Sequence, residues 1–247
     1  MIQNIYDNPA FFAGYSALRA TRAGLNEALE QPAMASLLPD VAGLAVLDLG
    51  CGAGDLCRQL HAAGAVGVTG VDVSSRMLNL ARAAGGDGIR YVHQAIEDFD
   101  APDASFDLVV SSLAFHYVRD FEAALAGIAR WLRPGGTLVF SQEHPVCTAA
   151  QGTHPGWARD ERGAKRYWTL DRYHDEGMRE SHWFVDGVIK YHRTTATILN
   201  ALLDQGFRIQ RVLEPHAVPE EEARRPELLE ERRRPPFLLV KAELPRA

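Results

Sequence analysis

The stretch Ala45–Leu56, AVLDLGCGAGDL, constrains the chain more than any other. An apolar run, Ala45–Leu49, gives way to three alternate glycines, Gly50, Gly52 and Gly54, and then to a helix-forming segment. This order of residues reads as a buried parallel strand that turns sharply into a helix. The glycines admit positive φ and let a ligand press against bare backbone. Amides at the start of the new helix then face whatever lies over the turn. Asp48 interrupts the apolar run, and a carboxylate at a strand end needs a partner.

The rest of the chain continues in the same rhythm. Val66–Val73 reads as a second strand ending near Asp72, which lies 18 residues beyond Gly54. That is close to the roughly 20 residues at which an acid bonds the ribose hydroxyls of a nucleotide. Ser74 is the expected N-cap of a helix over Ser75–Ala84, closed by Gly85-Gly86. Ile89–His93 is a third strand, followed by Gln94-Ala95-Ile96-Glu97-Asp98. Ser105–Ser112 is a fourth, so Ser111, Ser112 and His116 fall where open α/β sheets hold ligands. An amphipathic helix, Phe121–Leu132, stops at Arg133-Pro134-Gly135-Gly136 and leads into a fifth strand, Thr137–Ser141.

Residues 142–190 break the alternation. They carry Glu143-His144-Pro145 and Trp157, Trp168 and Trp183, and an insertion here lies over the carboxyl edge of the sheet as an aromatic-walled pocket. A helix over His192–Gln205, a sixth strand at Phe207–Leu213, a charged helix over Glu220–Arg232 and a last strand at Phe237–Ala242 complete the pattern. At the other end, residues 1–38 read as a helical cover. Asn8-Pro9 caps a helix whose apolar face holds Phe11, Phe12, Tyr15 and Leu18. Tyr6 and Tyr15 stand out there, because a phenol has both a packing face and a polar tip.

The strand–glycine turn resembles the first motif of the class I S-adenosylmethionine (SAM)-dependent methyltransferases, hydrophobic-Asp-hydrophobic-Gly-x-Gly-x-Gly. The later Leu-Arg-Pro-Gly-Gly-Thr-Leu is similar to another landmark of that family. The resemblance covers residues 44–141 best and implies one domain over 1–247. Its fold is α/β: a Rossmann-like, seven-stranded, mostly parallel sheet with helices on both faces. The last strand runs antiparallel between strands five and six. The resemblance also implies SAM as cofactor and S-adenosylhomocysteine (SAH) as product. Gly50, Gly52 and Gly54 would then admit the methionine part, Asp48 would fix the loop or meet the ammonium group, and Asp72 would accept from both ribose hydroxyls. Ala95, Ile96 and Glu97 would meet the adenine, although Ala95 stands where the family usually has an aspartate. Tyr15 and Ser111 join this cofactor set.

Position marks the acceptor-side candidates: Tyr6 and Tyr15 of the cover, His116 after strand four, Glu143 and His144 after strand five, and His192 at a helix start, with His116, His144 and Tyr6 the expected catalytic residues. A neutral imidazole can take a proton near pH 7. The segments YDNPAFFAGY, EHP and PELLEERRRPPFLLV resemble a bacterial group of small-molecule methyltransferases of secondary metabolism. Among these are enzymes that N-methylate a planar azapteridine of the toxoflavin type. The resemblance thus implies a small-molecule acceptor and N-methylation of a planar heteroaromatic. O- or C-methylation of another metabolite, and a non-catalytic SAM-binding regulator, stay open beside it.

Other classes fit the residues poorly. Counting from Gly50, the sixth position is Asp55 rather than the glycine of a dinucleotide fingerprint, and no Tyr-x-x-x-Lys relay occurs. A net charge of −6 disfavours a nucleic-acid partner. The basic cluster Arg232–Arg234 follows two glutamates and reads as a solvated helix end. No apolar run approaches the roughly 20 residues of a membrane span, and the first residues lack a signal-peptide pattern. Cys51, Cys57 and Cys147 form an odd set without paired spacing, as expected in a reducing cytoplasm. Cys57 and His61 lie one helical turn apart, too few ligands for a metal site. The oligomeric state is left open by the residues.

Overall fold

The computed structural model describes residues 3–21, 24–150 and 156–246. Residues 22 and 23 of the expected helical cover and 151–155 of the expected insertion lie outside them. At the amino end, Asn8 Oδ1 accepts from the amides of Ala10 and Phe11, and Pro9 takes the first helical position, so α1 (Pro9–Thr21) starts at that cap. A π-helical turn, Asn26–Glu30, leads directly into α2 (Gln31–Leu37).

Then come β1 (Ala45–Leu49), α3 (Asp55–Ala62), β2 (Gly67–Asp72), α4 (Ser75–Ala83), β3 (Ile89–His93), β4 (Phe106–Ser111), α5 (Phe121–Trp131) and β5 (Leu132–Glu143). After a short α6 (Pro145–Thr148), two hairpins form the insertion. They pair β6 (Trp157–Arg159) with β7 (Lys165–Trp168) and β8 (Gly177–Trp183) with β9 (Val185–His192). The chain closes with α7 (Thr195–Asp204), β10 (Arg208–Leu213), α8 (Pro219–Arg224) and β11 (Phe237–Glu243). The main sheet has the order β10-β11-β5-β4-β1-β2-β3, with β11 antiparallel to both neighbours and the other neighbouring pairs parallel. This is the Rossmann-like methyltransferase sheet that the resemblance implied.

Successive side chains of a strand point to opposite faces, and here both faces are covered. Leu47, Leu49, Val109, Leu138, Phe140, Leu238 and Val240 meet Phe121, Leu125 and Ile128 of α5 and Ile198 and Leu202 of α7. Their alternates Val46, Val110, Val139 and Leu239 meet Met34 and Leu37 of α2 and Cys57 and Leu60 of α3. Each fully buried side chain of this size contributes about 1.5–3 kcal/mol. The apolar runs in β1, β4 and β5 therefore belong to one sheet sandwiched between helices.

Two elements differ from their sequence patterns. The helix expected from His192 begins at Thr195, because the Thr194 hydroxyl accepts from the Thr197 amide and fixes the cap there, while His192 ends β9. The charged helix expected over Glu220–Arg232 breaks in two. Pro226 forces Arg225 out of the helical region (φ −133°, ψ 76°), and a 3₁₀ stretch, Pro226–Arg233, follows.

The first residues strap the carboxyl ends of the sheet. Gln3 joins β9, donating to the Gly187 carbonyl at 2.7 Å and accepting from the Ile189 amide at 2.9 Å. Asp7 caps α4, accepting from the Ser74 hydroxyl at 2.6 Å and the Arg76 amide at 3.1 Å. Desolvation pulls the Asp7 carboxyl upward, but hydrogen bonds from Ser74, Arg76, Asn4 and Ser75 outweigh it and hold the pKa down at about 2. A depressed carboxyl pKa stabilises the fold above the unfolded value of about 3.9, and the benefit fades as pH falls through the folded value. Asp7→Asn should therefore be less stable than wild type by a constant margin from pH 5 to 8. In urea unfolding that margin should shrink steadily between about pH 4 and pH 2.

Candidate active site

A cavity of about 840 Å³ opens at the carboxyl ends of β1, β2, β4 and β5, beneath the amino-terminal strap and the insertion. This volume lies toward the upper end of the roughly 300–1,000 Å³ of small-molecule sites, as a space shared by cofactor and acceptor requires.

Its floor on one side is the turn after β1. Gly50 and Gly52 hold φ of +78° and +53°. A Cβ on Gly50 would come within 2.4 Å of the Ala114 Cβ, so the turns after β1 and β4 touch only because this side chain is missing. Gly52 donates its amide to Asp72 Oδ2 at 2.8 Å, and the Ser74 amide donates to Asp72 Oδ1 at 2.8 Å. Burial pushes the Asp72 carboxyl up, against the two amides that favour its charge. A carboxylate has about four lone-pair sites, so acceptor capacity remains for a diol on the cavity side. Val73, Met77, Ala95, Ile96 and Glu97 line the same region, and Glu97 Oε1 also accepts from the Arg119 amide at 3.2 Å. A glycine floor, a carboxylate and an apolar slot together suit the methionine, ribose and adenine parts of SAM.

Asp48 reaches the wall but is 1% exposed. Burial raises its pKa to about 7, and its Oδ2 accepts from the Cys57 thiol at 3.1 Å. That bond ties the end of β1 to α3. Two expected cofactor residues lie off the wall. Gly54 caps α3 in the left-handed conformation, and a Cβ there would strike the Tyr91 hydroxyl, so it serves packing. Ser111 is fully buried and donates to the Leu49 carbonyl at 2.8 Å, which stitches β4 to β1. Tyr15 does line the cavity, with its ring 5.1 Å from that of Tyr6 in a T-shaped pair.

The other half of the cavity lies over β4 and β5, and Tyr6, Tyr15, Tyr117, Trp168 and Trp183 line the cavity as a whole, Tyr6 and Tyr15 within electrostatic reach of Asp72. His116 sits among them, 3% exposed, with Nδ1 accepting from the Glu143 amide at 3.3 Å. That bond places the proton of the neutral ring on Nε2. Burial lowers the His116 pKa to about 4, so it is neutral at pH 7 and too weakly basic to hold a proton there. Burial works against the Glu143 charge, but Lys190 Nζ, 2.5 Å from Oε1, and His116 hold its pKa below the usual value.

The other two expected histidines serve the scaffold. His144 caps α6, its Nδ1 accepting from the Val146 amide at 3.1 Å, and its Nε2 meets Glu214 at 2.8 Å. His192 is engaged at both nitrogens by the Thr148 hydroxyl and the Tyr173 carbonyl. Neither lines the cavity. Trp157 packs edge-on against Trp168 instead of facing it.

Three wall residues carry no motif. Arg19 donates to Asn26 and pairs with Glu27, and it follows Tyr15 by four residues on one face of α1, a spacing that could have marked it. Glu30 is fully buried and accepts from the hydroxyls of Ser112 at 2.8 Å and Ser141 at 2.5 Å. Arg234 lies in the basic cluster expected to be solvated. Its guanidinium instead stacks 4.5 Å over Trp168 and faces Glu231 at 3.0 Å, because Pro235-Pro236 turns the chain into β11 at the cavity edge.

A doubly covered sheet of this order, with a glycine floor beneath a nucleotide-sized slot, defines the SAM-dependent methyltransferases as a class. The family model described as a methyltransferase domain matches residues 47–140. A SAM-dependent methyltransferase from Mesorhizobium loti, solved by crystallography, is 47% identical. It superposes with a TM-score of 0.82, over 89% of this chain and 100% of that one. The chain belongs to this family, and SAM is its cofactor. An uncharacterised protein of Haemophilus influenzae is 37% identical over 246 residues, 97% of this chain and 96% of its own. A 1,6-didemethyltoxoflavin N1-methyltransferase from Burkholderia thailandensis, solved with 1,6-didemethyltoxoflavin and SAH bound, is 18% identical. Its TM-score is 0.57 over 95% of this chain and 87% of that one, a likeness of fold alone. Among the described residues no helix is long and apolar enough to cross a membrane, and no three metal-ligating side chains are grouped to hold an ion.

SAH at 100 times its Kd should add about 2.7 kcal/mol to the unfolding free energy. Asp72→Ala should weaken SAH binding by roughly 10- to 100-fold in calorimetric titration, the loss of about 1.5–3 kcal/mol for a hydrogen-bonded charge.

Proposed function

We propose that this methyltransferase acts on a planar heteroaromatic small molecule and methylates it at a ring nitrogen. The observation that carries the reading is the aromatic character of the cavity wall, to which Tyr6, Tyr15, Tyr117, Trp168 and Trp183 contribute. Such rings offer large, rigid contact area to a flat ligand, and their polar tips choose its orientation. A toxoflavin-type azapteridine is the model for such an acceptor.

SAM supplies the methyl group on a sulfonium already activated for displacement. The chain has to align the acceptor in line with that group and keep bulk water out. Tyr6 and Trp183, held by the strap and by β8, close the wall. His116, neutral with its proton on Nε2, donates a hydrogen bond to a ring nitrogen or carbonyl of the acceptor. Its weak basicity suits an acidic ring N–H, which needs no strong base.

The test is incubation with SAM labelled in its methyl group and a panel of 1,6-didemethyltoxoflavin, lumazine, a flat phenol and duplex DNA. Label on a ring nitrogen, located by mass spectrometry, is expected. Label on the phenol alone would replace N- by O-methylation, and label on DNA or on nothing would remove the reading. With an accepted heterocycle, His116→Ala should lower kcat/KM about tenfold, the loss of a neutral hydrogen bond of 0.5–1.5 kcal/mol. The pH–rate profile should show no His116 limb near pH 6.5, because that ring gains its proton only as pH falls through about 4.

A further inference from the structure

Methyl transfer to an N–H or O–H leaves a proton to be removed, and His116 cannot hold it at neutral pH. Another arrangement on the cavity wall brings a hydroxyl and a buried carboxylate together. Ser112 follows β4 on the cavity wall, partly exposed, two residues before the Ala114 that touches the glycine turn. Its hydroxyl proton is committed to Glu30 Oε1 at 2.8 Å, so the lone pairs of its Oγ are what it presents to the cavity.

Glu30 lies behind it, fully buried although it borders the cavity. Oε1 also takes the Ser141 hydroxyl, and Oε2 takes the Asn26 side-chain amide at 3.1 Å. No ion pair within 4.0 Å is formed by this carboxylate among the described residues, in contrast to Glu143 with its Lys190. Arg19 of α1, Glu27 of the same turn and Asp48 of β1 are the charges that act on it from its surroundings. Desolvation raises its pKa, a condition that favours taking up a proton.

Position supports the same reading. The expected cofactor residues Gly50, Gly52, Asp72 and Ala95–Glu97 lie at or after the ends of β1, β2 and β3, whereas Ser112 follows β4 and Ser141 lies on β5, over which the acceptor half opens. A buried acid gripped by two hydroxyls there also braces Leu113, whose φ of +53° is strained for a branched side chain and whose amide donates to Ser141.

We propose that Ser112 and Glu30 form the proton relay of this enzyme, with Ser112 Oγ touching the acceptor and Glu30 acting through it as a positioning and proton-storing residue. The inference rests on the small-molecule reading above. The acceptor nitrogen or oxygen forms the new bond to the methyl carbon as the carbon–sulfur bond breaks and its electron pair stays on sulfur. The acceptor's proton passes to Ser112 Oγ, and the proton of that hydroxyl passes to Glu30 Oε1. Glu30 is left as the neutral acid and returns its proton to water between turnovers.

The test uses the purified full chain, methyl-labelled SAM, and the small molecules of the panel above together with a low-molecular-weight yeast metabolite extract, so that no single acceptor need be chosen. Ser112→Ala and Glu30→Gln should each lower label transfer about a hundredfold or more, the usual range for a lost acid–base group, with KM for SAM and Kd for SAH within about twofold. Glu30→Gln keeps an oxygen for both serine hydroxyls, so a bracing role alone would leave transfer intact. Ser112→Thr keeps the hydroxyl and should restore turnover. Either disabled variant transferring label like wild type would overturn the relay, as would parallel loss of SAH binding in Ser112→Ala. A wild-type chain that labels no small molecule would overturn the small-molecule reading, and the relay with it.

Discussion

The contact between Gly50 and Ala114 is the constraint on which the site depends. The turn after β1 and the turn after β4 can meet only because position 50 has no side chain and its backbone stands at φ +78°. Their contact sets the floor of the cavity and the spacing between the cofactor slot and the acceptor half. Asp72, tied to the Gly52 amide, and Ser112, two residues ahead of Ala114, take their positions from the same pair of turns. A side chain at Gly50 would move both halves of the site apart at once.

Around that floor the protein holds four carboxylates, Glu30 and Asp48 buried and Asp72 and Glu143 half-buried, and treats each differently. Asp72 is held by backbone amides, Asp48 by a thiol, Glu143 by a lysine and Glu30 by two hydroxyls. A buried acid stays ionised in proportion to the donors and charges around it. Lys190 therefore keeps Glu143 below the usual carboxyl range, while Asp48, with only a weak thiol donor, rises to about 7. The same logic separates the histidines: a ring with both nitrogens engaged, such as His144, is scaffold, whereas His116 keeps one nitrogen for the cavity.

The amino-terminal cover completes what the sheet begins. Gln3 and Asp7 tie the strap to β9 and to α4, and Tyr6 between them packs against Tyr15, Phe11 and Tyr117. Glu30 binds the same cover to β4 and β5 from below. These attachments hold the cover against the sheet.

The sheet, the turn glycines and most helices were legible in the residues alone, because these follow from patterns a few residues long: apolar runs in strands, glycines at a turn, an N-cap at Ser74, a carboxylate at the end of β2. The sequence could not separate Ser111 from Ser112, since adjacent side chains of a strand face opposite ways and only packing says which way is the cavity. It placed Gly54 with its two neighbours, although Tyr91 from another strand claims that space. It set Arg234 in solvent, where two tryptophans of the insertion receive it. Glu30 bore no local mark at all, for its partners lie 82 and 111 residues away. Such contacts exist only once the chain has closed on itself, so the tertiary structure alone decided which acids and histidines face the acceptor.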